Sequence, residues 1–237
     1  MAGTFLTARW VNLALVQYRV TLEMLTPYLP EGLEFDLYDG SPFVSLVAFD
    51  FLDTKVKGVR WPWHVNFPEV NLRFYVRDPA TGERGVSFVR ELVPRAMIAW
   101  TARALYNEPY ARARMSSETT EDDASIRIEH RWRFRGVDHT LTVRGAKPPT
   151  TPPEDSLEHF FKEHSRGYGR SRSGRAIRYG VEHPVWSVYA EPRAEIRVEF
   201  GSLYGDTWAP LTDREPDSVV FASGSEVRVE PLSKRNR

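Results

Sequence analysis

Glu69, Asn71, Arg73 and Tyr75 occupy alternate positions in the segment Glu69-Val70-Asn71-Leu72-Arg73-Phe74-Tyr75-Val76. If that segment is extended, the four polar side chains share one face at intervals of about 6 to 7 Å, and Val70, Leu72, Phe74 and Val76 share the other. A carboxylate, an amide, a guanidinium and a phenol in line can grip and protonate a small molecule, with Arg73 able to make a bidentate contact to an anion. On an open sheet such a face is simply hydrated. On a barrel interior it becomes the polar wall of a pocket for an anionic or carbonyl-bearing ligand. The residue pattern leaves both readings open.

Other chemistries are poorly supported. There is no cysteine, which removes disulfides, thiolate metal sites and cysteine nucleophiles together. The six histidines, His64, His130, His139, His159, His164 and His183, show neither a His-x-His pair nor i, i+4 spacing, so no metal is expected. His130 falls among the apolar residues of its strand pattern, where a core histidine satisfied by a neighbour is the economical reading. Ser223-Gly224-Ser225 lacks the Gly-x-Ser-x-Gly frame, and Gly167-Tyr168-Gly169 reads as a flexible loop, since no βαβ unit surrounds it. No cofactor is therefore expected. A Schiff base would have to use one of five lysines: Lys55, Lys57, Lys147, Lys162 or Lys234.

Thirty-two basic residues balance thirty-two acidic ones, so no long-range field draws the chain to nucleic acid or to an anionic membrane. The one local exception, Arg166, Arg170, Arg172, Arg175 and Arg178 between Tyr168 and Tyr179, is bordered by Glu163 and Glu182, and nucleic-acid binding through it is not expected. Glu118, Glu121, Asp122 and Asp123 read as a hydrated hairpin tip. No stretch approaches the apolar length of a membrane span, and the first ten residues lack a basic start followed by an apolar run. A cytoplasmic protein is expected, with a homo-oligomer left open.

The elements that must position these residues follow from periodicity. Residues 10–20 read as a strand, with Thr21 as N-cap of a short helical turn stopped by Pro30. Residues 33–38 and 42–52 flank Asp39-Gly40, a hairpin dipeptide. Residues 70–77 alternate, and a second hairpin turns between Asp78 and Gly85. Pro94 suits the first turn of a helix over 95–106, the strongest helical pattern in the chain. Residues 126–135 alternate again, and Gly136-Val137-Asp138 returns the chain toward Leu141 and Val143. The Pro-rich stretch near 146–154 reads as a stiff surface connector, after which Asp155 and Glu158 begin a short helix through Phe160 and Phe161. Strand patterns resume after Arg175. Many hairpin-linked strands with a few short helices give an α+β, mainly antiparallel β class, with a curved or closed barrel or cone in one domain over 1–237.

Several segments resemble a known family. Gln17-Tyr18-Arg19-Val20-Thr21 leading to Leu29-Pro30-Glu31-Gly32-Leu33, then Tyr38-Asp39-Gly40, is similar to the opening of the YqjF-like domain-of-unknown-function family. The Glu69–Val76 segment, Ala102-Arg103 through Pro109-Tyr110, and His183-Pro184-Val185-Trp186 extend the resemblance over most of the chain. That family is similar to the acetoacetate decarboxylase-like superfamily, which implies a mainly antiparallel barrel or cone around an internal cavity. In the decarboxylase a lysine of a Pro-Lys-Lys motif, after a Gly-Arg-Glu segment, forms the imine. Here Arg103 matches that arginine, but Tyr110 and Ala111 follow Pro109, so imine chemistry at that spot is excluded. The resemblance also implies pocket positions for Arg19 and Glu69, and a second acid near Asp50.

The expected site is thus a pocket lined by Arg19, Glu69, Asn71, Arg73, Tyr75, Arg103 and Tyr110. Two functions compete for it. One is a lyase- or isomerase-like enzyme using Glu69 or Tyr110 as acid or base without a Schiff-base lysine; the other is a non-catalytic binding protein. A buried ion-pair network that only sets strand register is the structural alternative.

Overall fold

The computed structural model describes residues 4–60, 65–94, 109–171 and 176–234. Its first half carries β1 (Leu6–Arg19), β2 (Glu34–Phe35), β3 (Phe43–Val56), β4 (Phe67–Arg77) and β5 (Arg84–Val93). There follow β6 (Tyr110–Arg112), β7 (Arg114–Glu121), β8 (Ser125–Phe134), β9 (Val137–Thr150), β10 (Arg166–Arg170), β11 (Ala176–Glu182), β12 (Val188–Arg197), β13 (Ser218–Val229) and β14 (Ser233–Lys234). The helices among the described residues are short: Leu22–Leu25, Leu157–Lys162 and Phe200–Tyr204. None is long and apolar enough to cross a membrane.

The pairings are antiparallel except that β5 takes β6 and β10 in parallel. Strand order runs β10-β5-β4-β3-β1-β13, and β11 bonds to both β10 and β13, so these seven strands form a ring. Beyond β13 the sheet continues through β12, β9, β8 and β7. The inward-facing side chains of β8 and β9 pack with one face of β1, β3 and β4 in a shared core that includes Val16, Leu46, Leu72, Ile128, Trp132 and Val143. The other face of β1, β3 and β4 lines the ring's lumen. Strands covered on both sides lose polar alternation, which is why Phe43 to Phe51 is buried at every position.

Close strand approach selects one glycine. At Gly85, where β10 runs beside β5, an added Cβ would lie 2.7 Å from the Arg166 carbonyl oxygen and 2.6 Å from Tyr168 Cε2. A backbone oxygen and a fully buried ring cannot both retreat. Gly85→Ala is expected to destabilise the fold by about 1–3 kcal/mol in urea unfolding, as overpacking does. An unchanged midpoint would show that the ring closes with slack.

Several expectations need correction. Asp39 and Gly40 do turn at positive φ, 47° and 69°, but they close only the Tyr38–Ser41 bridge. The strand before the turn pairs with β4, not with β3, because burying Phe35 against Phe74 covers the outside of the ring. Thr21 stands at the N-cap position but makes no side-chain capping bond. The later helix is capped by Ser156, whose hydroxyl accepts from the His159 N–H at 3.1 Å, so it starts beyond Asp155. The first half of the Pro-rich connector is the end of β9, since β12 pairs with it as far as Thr150. Gly167-Tyr168-Gly169 is strand β10 and not a loop; Gly167 lets the Tyr179 ring lie against the backbone while Tyr168 is buried. The expected helix over 95–106 lies outside the described residues.

Candidate functional site

The lumen of the ring holds a cavity of about 240 Å³. Strand register stacks its wall in layers, because β3 and β4 place directly opposed residues on the same face. Phe51 faces Phe67, then Phe49 faces Glu69, Val47 faces Asn71, Ser45 faces Arg73, and Phe43 is followed on β4 by Tyr75. Successive layers are about 6 to 7 Å apart along the strand, so the Glu69 and Arg73 Cα atoms are separated by about 13 Å. The Phe51 end has a partly open rim at Val59, which is 58% exposed. The Arg73 end is closed by the helix Leu157–Lys162, whose Phe161 packs on Phe43, Tyr38 and Tyr75.

Glu69 is buried, and among the described residues two donors reach its carboxylate. Asn71 Nδ2 donates to Oε1 at 3.0 Å, and the Tyr110 hydroxyl donates to Oε2 at 3.4 Å. β6 brings Tyr110 there by pairing it with Glu91, which is also the cross-strand partner of Asn71. Arg73 lines the cavity and donates from Nη2 to the Phe161 carbonyl at 2.8 Å, while its Nε–H is buried without a partner. Charge bonding to a backbone carbonyl leaves the guanidinium's positive charge uncompensated at that contact.

The structure therefore brings Glu69, Asn71, Arg73 and Tyr110 to one lumen. Tyr75 is on the same face but is spent on packing: its hydroxyl bonds to Ser45 Oγ, and it does not line the cavity. Burial raises its pKa, against the opposing pull of Arg73 and the Ser45 bond. Arg19 does not reach the site. It points to the lumen side of β1 but at the strand's last residue, where it is exposed with its guanidinium 5.5 Å from the Phe43 ring. Two residues of strand advance carried it past the cavity's closed end. Asp50 faces the opposite side of β3, where it accepts from Ser117 Oγ at 2.6 Å. Arg103 lies outside the described residues.

Three wall residues had not been singled out. Glu91 faces the lumen because a bulge shifts the β4–β5 register between Leu72 and Arg73, so that Phe88 and Glu91, three apart, share a side. Strict alternation could not show it. Lys162 ends the closing helix with its side chain wholly buried at the cavity wall, paired with Glu163. His164 is buried beside the Tyr75 ring at 4.9 Å, with Asp36 Oδ2 3.9 Å from Nε2. Burial pushes its pKa down to about 4; Asp36 pulls upward, and Arg73 and Arg84 add to the lowering.

The histidines give a pH prediction. The unfolded chain protonates His164 near pH 6.5, the folded chain only near 4, so its contribution is complete above 6.5 and is lost as pH falls toward 4. The loss amounts to about 3 kcal/mol at most. His139 acts in the same direction: burial lowers its pKa to about 4, and its Nδ1 accepts from the Glu199 N–H at 3.2 Å. Urea midpoints should fall between pH 7 and pH 4.5, and His164→Asn should flatten that slope; an equally steep slope in the variant would refute the assignment.

Away from the lumen, His130 is a buried core residue as expected, and burial lowers its pKa against the opposing pulls of the Asp50 charge and the Asn12 backbone. The arginine segment is tied down at its described positions: Arg166 and Arg178 both bind Glu83, at 2.9 and 2.7 Å, and Arg170 donates to the Pro27 carbonyl at 2.5 Å. Those groups are occupied within the fold.

Comparison with known structures agrees with the fold. An acetoacetate decarboxylase from Legionella pneumophila aligns with 100% of this chain and 88% of its own, at TM-score 0.65 and 12% identity. An acetoacetate decarboxylase-like enzyme from Sphingomonas wittichii RW1 aligns over 99% and 94%, at 0.65 and 13%. The enduracididine biosynthesis enzyme MppR, complexed with pyruvate, aligns over 99% and 91%, at 0.66 and 12%. At these identities the likeness is one of fold: a mostly antiparallel, acetoacetate decarboxylase-like sheet with few short helices. In sequence, the uncharacterized protein YqjF of Bacillus subtilis (strain 168) is 26% identical over 226 residues, 95% of this chain and 90% of YqjF. The model of the DUF2071 family, described as an uncharacterized conserved protein, matches residues 7–226, and the chain belongs to that family.

Proposed function

We propose that the lumen is the site of a lyase- or isomerase-like enzyme acting on a carboxylate- or carbonyl-bearing metabolite by proton transfer, without a Schiff-base lysine. The observation that carries this reading is the Tyr110–Glu69–Asn71 set within a cavity that also holds Arg73. A carboxylate with a phenol on one oxygen and an amide on the other is oriented to take a proton from carbon and pass it on. In the step itself, Glu69 takes the proton next to a carbonyl and the electron pair moves onto the carbonyl oxygen. Arg73 supplies positive charge in the same cavity, where burial strengthens charge interactions. Lys162 also lines the wall, with its Nζ paired to Glu163. A fold neighbour complexed with pyruvate supports a ligand of this class.

The test is deuterium wash-in. Protein in D2O is mixed with a 2-oxo acid, and exchange at the carbon next to the carbonyl is followed by proton NMR. Exchange above the buffer rate that falls in Glu69→Gln supports the enzyme. Saturable binding with no exchange above buffer for any carbonyl acid tried makes the protein a binding protein instead.

A further inference from the structure

We propose that the cavity takes an aromatic-bodied carboxylate, inserted carboxylate first, with its ring left among the aromatic side chains at the Val59 end. The inference rests on the functional reading above and deepens it by naming the ligand's shape and direction.

The two ends of the lumen differ in chemistry. At the closed end Arg73 lines the cavity with Phe161 O as the acceptor of its Nη2, and its Nε–H is buried without a partner, while His164 stands beside it with Asp36 Oδ2 3.9 Å from Nε2. A guanidinium buried against a single neutral carbonyl is costly, and a cavity beside it favours an anion there. Lys162 stands at the same wall. The Arg73 guanidinium, with the Lys162 side chain beside it, suits a carboxylate.

At the other end the wall is aromatic. Trp10 meets Phe49 edge-on at 5.1 Å and Phe51 at 5.5 Å, while Phe51 stacks on Phe67 at 4.6 Å with 14° between the planes. These rings line the cavity, and Trp186 continues the set 6.1 Å from Trp10. Packed rings of this kind favour another ring in offset or edge contact. A three-carbon acid would leave this half of the lumen unfilled. Glu69 stands between the two ends, opposite Phe49, so the carbon it faces would lie between the carboxylate and the ring.

The experiment is calorimetric titration with phenylpyruvate, pyruvate and 2-phenylethanol. Burying a phenyl ring removes on the order of 100 Å² of apolar surface from water, so phenylpyruvate should bind about 100-fold tighter than pyruvate, and at least tenfold. Phenylethanol, which lacks the carboxylate, should bind at least tenfold more weakly than phenylpyruvate. Phe67→Leu, which keeps an apolar wall, should narrow the phenylpyruvate-to-pyruvate ratio, and Arg73→Met should weaken both acids by a similar factor. Pyruvate binding as tightly as phenylpyruvate would overturn the ligand class while leaving a carboxylate pocket. Phenylethanol binding as tightly as phenylpyruvate would overturn the carboxylate-first orientation. Failure of both acids to bind to folded protein would overturn this proposal and the functional reading together.

Discussion

Glu69→Gln is expected to lower deuterium wash-in by about 10²- to 10⁴-fold, the range typical of a lost general base. Glutamine matches the length and shape of glutamate, so the bond from the Tyr110 hydroxyl to Oε2 can still be received by the amide oxygen. The Asn71 amide, which now donates to Oε1, would instead meet an NH2 group and lose its acceptor. One neutral hydrogen bond at that site costs about 1 kcal/mol, a small sum beside the kinetic loss. The variant should therefore fold, bind ligand and fail to exchange. Tyr110→Phe should lose less, because the carboxylate that takes the proton remains. A Glu69→Gln protein with an undiminished rate would remove Glu69 from the chemistry and leave it a strand-register group.

Phe161→Ala is expected to cost about 3–5 kcal/mol of folding stability, the range for emptying a phenylalanine site in a closed core. The ring is fully buried and touches Phe43, Tyr75, Phe160 and Tyr38 at centroid distances of 5.2, 5.2, 5.1 and 5.4 Å. Its backbone carbonyl, which receives Arg73 Nη2, is kept in the alanine variant, so the substitution isolates packing from the charge contact. Guanidinium unfolding at neutral pH measures the effect. A loss below 1 kcal/mol would show that the helix Leu157–Lys162 is not a fixed plug and that the lumen has no closed end. Ligand affinity should fall in the same variant, since Lys162 and His164 are positioned by that helix and the turn after it.

The alternation of residues 69–76 was enough to place four polar groups on one strand face, and periodicity elsewhere assigned strands at β1, β3 and β8. Short hairpin signals likewise led to a curved antiparallel sheet. Such local pattern reports which face a side chain takes, because the pleat has period two whatever surrounds it. The resemblance to the family added Tyr110, a residue whose neighbours in sequence carry no strand pattern of their own.

What sequence by itself determined, then, was the chemistry available and the phase of each strand. Tertiary structure decided whether that chemistry meets. Arg19 has the right phase but lies one layer too far along, which only the position of the Phe161 plug reveals. Glu91 has the wrong phase for strict alternation and is turned inward by a bulge. Lys162 and His164 come from a helix and turn more than eighty positions from Arg73, and ring closure through β10 and β11 sets them against it. Periodicity is a property of neighbours along the chain. A lumen is made by pairings between strands distant in sequence, so its ends, its depth and its unpaired groups exist only once the ring is closed.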